Sequence, residues 1–219
     1  MKKSGAKVQR LDGYQHIIWD WNGTLFDDTA LCVTIINTML RQRALPTLSL
    51  DHYQAVFTFP VRDYYPRVGF DLNQESFETL SQEFVTSYES RRHESTLYSH
   101  TRRILEHVTA SGKRQSLLSA YPQETLIDLV HAFDLGHLFE HLRGLDHIYA
   151  DSKIGQGQQL LSELPHHQSD VLLVGDTLHD AEVAQALGTD CILVADGHQS
   201  KERLAQSGLP VVNSLAELL

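Results

Sequence analysis

The run Ile17-Ile18-Trp19-Asp20-Trp21-Asn22-Gly23-Thr24-Leu25 decides how this chain is read. From His16 the residues are apolar up to an acid at Asp20, the pattern of a short buried strand with a carboxylate at its end. Asn22-Gly23 between apolar runs is also a hairpin-turn signature, so by itself Asp20 could simply flank a turn. The choice depends on the rest of the chain.

From Thr29 to Thr96 apolar residues recur at helical spacing. They are Leu31, Val33, Ile35, Ile36, Met39 and Leu40, then Phe77, Leu80, Phe84 and Tyr88. Pro46, Pro60 and Pro66 punctuate this stretch, and no strand is expected in it. The pattern then alternates. A helix over Thr101–Ala110 ends near Gly112, and a strand follows over Gln115–Ala120. Pro122 suits the first turn of the next helix. His147–Ala150 reads as a short strand and Gly155–Leu164 as a helix. Val171–Val174 is a buried-strand run ending in Gly175-Asp176, and the helix Asp180–Leu187 is stopped by Gly188. Cys191–Val194 and Val211–Val212 complete the strands. Continuous apolar strands between amphipathic helices predict an α/β fold, a doubly wound parallel sheet covered on both faces. The expected division is a core of residues 1–28 and 97–219 with an all-helical insert, 29–96.

The composition agrees. Of 219 residues 42% are hydrophobic and 21% charged, enough for a real core and unlike a disordered chain. The 18 Lys+Arg against 28 Asp+Glu give −10, which argues against nucleic-acid or anionic-membrane binding. Cys32 and Cys191 are too few and too far apart for a disulfide framework or zinc cluster, and are expected as reduced core residues of a cytoplasmic protein. Met1–Asp12 carries three lysines with no apolar run after them, so no signal peptide is expected. Nor does any stretch approach a membrane span.

In doubly wound sheets ligands bind beyond the carboxyl ends of the strands. Asp20, Ser119, Lys153 and Asp176, the last followed by Asp180, stand there. Each alone has an ordinary reading as a turn, cap or surface residue. Together they make a coherent phosphoryl-transfer site. A few carboxylates suit Mg²⁺, a hydroxyl and an ammonium can hold a phosphoryl group, and an aspartate beside a divalent cation can be a nucleophile.

Ile17 to Leu25 resembles the first motif of the haloacid dehalogenase superfamily. Ser119 is similar to the second and Lys153 to the third. Gly175-Asp176-Thr177-Leu178-His179-Asp180 is similar to the fourth. Their order, with the insert between first and second, resembles phosphoglycolate-phosphatase-like members that carry a helical C1 cap on a Rossmann-like core. The resemblance implies a phosphatase acting on a small phosphorylated metabolite as a monomer or homodimer, with Asp20 as nucleophile. It implies Mg²⁺ on Asp20, Asp176 and the backbone carbonyl of Asn22, helped by Asp180. Thr24, Ser119 and Lys153 would then position the phosphoryl group. In the cap, Phe59 to Arg67 resembles the segment whose arginine reaches the substrate's anionic end, making Arg62 the candidate. Asp27-Asp28 and Ser95–Ser99 would be the hinges.

One position departs from the pattern. The family's phosphatases usually carry a second Asp where this chain has Asn22, and that Asp protonates the leaving oxygen and activates water. An amide does neither, a deficit typically worth about 10²–10⁴-fold. Three readings stay open. The substrate has a good leaving group, such as an acyl or aryl phosphate; another group, His179 or His16, moves the proton; or the protein is a slow phosphatase or a binder of phosphorylated ligands or partners. Schiff-base chemistry is disfavoured because Asp28–His100 holds no lysine, and dehalogenation because Asp176 and Asp180 are kept. His137 and His141, four apart, are expected as a surface pair on a helix, and Arg91-Arg92 and Arg102-Arg103 as solvated helix faces.

Overall fold

The computed structural model describes residues 11–150 and 152–219. Most of Met1–Asp12, the stretch read as lacking a signal peptide, lies outside the described residues. In chain order come β1 (His16–Trp19), β2 (Phe26–Asp27), α1 (Thr29–Gln42), α2 (Leu50–Val56), α3 (Val61–Arg67), α4 (Phe77–Arg91) and β3 (Thr96–Leu97). Then follow α5 (Thr101–Ala110), β4 (Arg114–Pro122), α6 (Gln123–Ala132), β5 (Leu142–Leu145), α7 (Ile154–Glu163), β6 (Val171–Gly175), α8 (Leu178–Leu187), β7 (Asp190–Val194), α9 (Lys201–Leu204) and β8 (Val211–Val212).

Six strands form one parallel sheet in the order β5-β4-β1-β6-β7-β8. Every residue of β1 is buried, because both faces of the sheet are covered. Ile17 and Trp19 join Leu117, Leu172 and Val174 in one core, while Ile18 joins Leu118 and Leu173 in the other. This is the period-2 alternation of a strand with two apolar faces. Each such side chain contributes roughly 1.5–3 kcal/mol by leaving water.

The insert supplies a third core of its own, built from residues such as Ile35, Met39, Leu40, Tyr53 and Leu80. Ser49 and Ser76 start α2 and α4 by accepting the backbone N–H of His52 and Thr79. The chain enters and leaves the insert through one antiparallel ribbon, with Phe26 opposite Leu97 and Asp27 opposite Thr96. Thr96, expected within a strand-free helical stretch, is therefore a strand residue.

Three further expectations need correction. His147–Ala150 is not a strand; β5 lies earlier, at Leu142–Leu145. The apolar Ile148 and Tyr149 line a pocket instead, with the Tyr149 ring 5.9 Å from Phe77 of the insert. His137 and His141 do not share a helix. A short 3₁₀ turn ends at Leu138, and the two face Asp134 and Glu163 separately. Arg92 is not solvated: its side chain is 13% exposed and lies 2.9 Å from Glu89. Cys32 and Cys191 are free and buried, as expected. Among the described residues no helix is long and apolar enough to cross a membrane.

Candidate active site

Asp20 follows the last residue of β1, and its N–H is held by Val174 O at 2.9 Å. Because β4 and β6 flank β1 on opposite sides, Ser119 and Asp176 arrive on either side of it. This is the point where strand order diverges, the expected position for a ligand. Lys153 enters from the N-cap of α7. Its ammonium lies 2.5 Å from Asp20 Oδ1 and 2.7 Å from Asp180 Oδ1, and donates to Leu118 O at 3.0 Å. Asp180 belongs to the first turn of α8, where its Oδ2 accepts the N–H and hydroxyl of Thr177 at 3.0 and 2.8 Å. This capping box fixes the carboxylate before any ligand arrives.

Glycines make the close approach possible. A Cβ on Gly175 would sit 2.1 Å from Asp180 Cγ, and one on Gly23 would sit 2.3 Å from Asp176 Oδ2. Gly23 also adopts φ +73°, which favours glycine.

Burial raises the pKa of Asp20, the charges of Asp180 and Asp176 push the same way, and Lys153 opposes them. Burial likewise pushes Asp176 up to about 6. At Asp180, burial is outweighed by Lys153 and the pKa is lowered. Burial alone would neutralise Lys153, but Asp180 and Asp20 hold it charged. One carboxylate oxygen from each of Asp20, Asp176 and Asp180 lies within 4.8 Å of the other two. Of these three buried carboxylates, two share the Lys153 ammonium, and Asp176 is met by the Thr24 hydroxyl and the His198 backbone N–H. The surplus negative charge and the all-oxygen donor set fit a hard divalent cation such as Mg²⁺.

Beside this cluster lies a second buried network that the sequence did not reveal. The Asn22 amide donates to Asp28 Oδ2 at 2.8 Å and to Tyr88 Oη at 2.9 Å. Tyr88 donates to the same Asp28 oxygen at 2.7 Å, and Gly23 N–H to Asp28 Oδ1 at 3.1 Å. His198 Nε2 lies 3.3 Å from Asp28 Oδ1, and its Nδ1 is 3.0 Å from Tyr53 Oη. Burial opposes the charge on His198, but Asp28 outweighs it and pushes the pKa up to about 9. His198 also donates its backbone N–H to Asp176 Oδ2 at 2.6 Å. The network thus joins the charged cluster to the helical insert. The sequence marks Asp28 only as a hinge, and His198 is one of 13 histidines. Its one sequence signal is its position directly after Ala195-Asp196-Gly197, the turn at the end of a strand.

The remaining candidates are placed as follows. Ser119 is buried and lines the pocket above Asp20. Thr24 does not line it; it is fully buried, and its hydroxyl donates to Asp176 Oδ1 at 3.0 Å. Arg62 is not brought to the pocket either. Its side chain is 59% exposed, 3.7 Å from Glu78 and stacked over Phe77. His179 lines the pocket, stacked on Phe59 at 4.9 Å, and burial lowers its pKa. His16 sits at the opposite end of β1, buried against Ser116, and cannot serve the site.

The family model for haloacid dehalogenase-like hydrolases matches residues 17–194. The chain belongs to this family. Phosphoglycolate phosphatase of Nitrosospira multiformis is 28% identical over 194 residues, covering 83% of each chain. That of Pseudomonas savastanoi pv. phaseolicola is 21% identical, covering 93% of this chain and 78% of its own. A haloacid dehalogenase-like family hydrolase of Streptococcus pneumoniae superposes with a TM-score of 0.80 at 17% identity, covering 94% of this chain and 97% of that one. Protein Tyrosine Kinase A of Mycobacterium tuberculosis does so with 0.75 at 20%, covering 94% and 97%. One fold carries differently named activities, so what this haloacid dehalogenase-like hydrolase does is decided by the chemistry of its site.

Proposed function

We propose that this chain is a Mg²⁺-dependent phosphatase that hydrolyses a small phosphorylated metabolite through an aspartyl-phosphate on Asp20. The observation that carries the reading is the convergence on Asp20 of one buried ammonium and two further carboxylates at the floor of a pocket. Residues 1–28 and 97–219 would form the catalytic core, and 29–96 a cap over it. Asp20, Asp176 and the backbone carbonyl of Asn22, helped by Asp180, would hold Mg²⁺. The ion would supply charge neutralisation to the phosphoryl group.

An Asp20 carboxylate oxygen attacks phosphorus, and the bond from phosphorus to the leaving oxygen breaks. Lys153 and Ser119 hold the phosphoryl oxygens during transfer. The leaving group departs with the electron pair and takes its proton from solvent, since Asn22 has none to give. Water then attacks phosphorus, the bond from phosphorus to the Asp20 oxygen breaks, and phosphate leaves with the Asp20 carboxylate restored, the water's proton passing to the phosphate or to solvent. The relatives named phosphoglycolate phosphatase support a small phosphorylated substrate.

The test is Mg²⁺-dependent phosphate release from p-nitrophenyl phosphate, with Asp20→Asn as control. Release that EDTA and the substitution both abolish is expected; undiminished release from Asp20→Asn overturns the reading. The Asn22 amide, held on Asp28 and Tyr88, favours one second reading, a catalytically impaired protein that binds a phosphorylated ligand or partner. Fast metal-dependent turnover excludes it.

A further inference from the structure

The pocket above Asp20 has a volume of about 140 Å³ and two unlike ends. Its floor is Asp20, Asn22, Ser119 and Lys153. Its walls include Phe59, Tyr64, Phe84, Tyr88, Tyr121 and Ile148, contributed by both insert and core. Two ring pairs here already meet edge to face: Tyr88 with Tyr121 at 5.7 Å, and Tyr64 with Phe57, which also lines the pocket, at 5.2 Å. A dry cavity of roughly 150 Å³ is large enough to admit benzene.

No free cation lines these walls among the described residues. Lys153 is engaged by Asp20 and Asp180, and His198 by Asp28. His179 is stacked on Phe59 at 4.9 Å and its Nδ1 lies 3.3 Å from Glu182 Oε2. Arg62, the cation expected for an anionic substrate tail, is on the outer surface. A carboxylate tail would therefore be buried beside Asp20 and Asp28 without a partner, at a cost of several kcal/mol.

The floor imposes a second, independent condition. Asn22 cannot protonate a leaving oxygen, and its amide hydrogens are already spent on Asp28 and Tyr88. An alkoxide is about as basic as hydroxide, whose parent water has a pKa of ~15.7, and departs poorly without an acid. A phenolate, with a parent pKa of ~10, departs far more easily. An acyl phosphate meets this condition too, but a small polar acyl group makes no use of aromatic walls.

Resting on the phosphatase reading above, we propose that the substrate is an aryl phosphate monoester with an uncharged ring, the ring lying among the insert and core aromatics and the phosphate on Lys153 and Ser119. Asp20 takes the phosphoryl group, the aryl C–O bond stays intact, and the phenolate leaves and is protonated by solvent.

The experiment has a turnover arm and a binding arm, both on the full chain with Mg²⁺. Phosphate release is compared for phenyl phosphate, acetyl phosphate and phosphoglycolate. Binding is compared calorimetrically for phenylphosphonate and methylphosphonate, which cannot be hydrolysed. Burying a phenyl-sized group predicts about 10- to 100-fold tighter binding of phenylphosphonate. The kcat/KM for phenyl phosphate should exceed that for either other substrate by a similar factor. Val85→Arg, which places a cation in the wall, should reduce the phenylphosphonate preference and raise phosphoglycolate turnover. Equal binding of the two phosphonates overturns the aryl proposal, as does faster Asp20-dependent release from phosphoglycolate; both leave the phosphatase reading standing. Tight phenylphosphonate binding with no release from any of the three substrates overturns the phosphatase reading and with it hydrolysis, leaving only the aromatic site.

Discussion

The two ends of the pocket are built on opposite principles. The floor gathers buried charge at the ends of three adjacent parallel strands and the starts of two helices. Its geometry is fixed by short contacts: Lys153 on Asp20, Thr177 on Asp180, Thr24 on Asp176. The walls are aromatic, drawn from segments far apart in the chain, and held by packing. At the floor an unpaired group is expensive, so every removal should be felt. In the walls polar groups are the liability, so some removals should help. Asn22 lies on the border, with its backbone near the floor and its amide bound into the joint with the insert.

Four measurements test that contrast. The largest effect is expected from Lys153→Met, which leaves Asp20 and Asp180 buried without their common partner. Urea unfolding without metal should show a loss of about 3–5 kcal/mol. A loss under 1 kcal/mol would mean that solvent already screens the floor.

Next is the pH dependence of the joint. His198 has a pKa of about 9 in the fold, against ~6.5 when unfolded. The folded state therefore holds this proton more tightly. The stabilisation is complete below pH ~6.5, declines as pH rises, and is gone once pH has passed through 9. It should amount to something on the order of 3 kcal/mol in metal-free buffer. Asp28→Asn should flatten this part of the stability profile, and an unchanged slope would remove the ion pair from the account.

Asn22→Asp is third. It replaces an amide that donates to Asp28 Oδ2 at 2.8 Å by a carboxylate, so the two acids must share a proton. A loss of about 1–3 kcal/mol near neutral pH is expected. Pairing it with Asp28→Asn should recover part of that loss, a coupling that a double-mutant cycle reads directly. Strict additivity would show that the two side chains do not depend on each other.

The smallest effect belongs to the walls. The Tyr64 hydroxyl is buried with no hydrogen-bond partner. Tyr64→Phe should be neutral or stabilising by up to about 1 kcal/mol. A clear destabilisation would show that the apolar end also depends on a polar contact.

Much of this was legible in the sequence. Apolar runs ending in Asp20, Ser119 and Gly175-Asp176 are local signals, and burial on both faces makes such runs continuous. The residues of the floor could be named because each stands at a strand end or helix start. Other features were not legible because they depend on contacts made across the chain. Ile148-Tyr149 has the composition of a strand but packs toward the insert. Thr24 is spent on Asp176, and Arg62 on Glu78. Asp28, Tyr88 and His198 share no motif; they meet only because the insert folds back over the strand ends.

The sequence by itself determined the parallel sheet, the helical insert and the acidic floor, since these follow from periodicity and from where polar residues interrupt apolar runs. Only the tertiary structure decided which polar groups remain free for a ligand and what surrounds the leaving group. Those depend on which side chains already satisfy one another, and a buried charge or ring is defined by its neighbours in space.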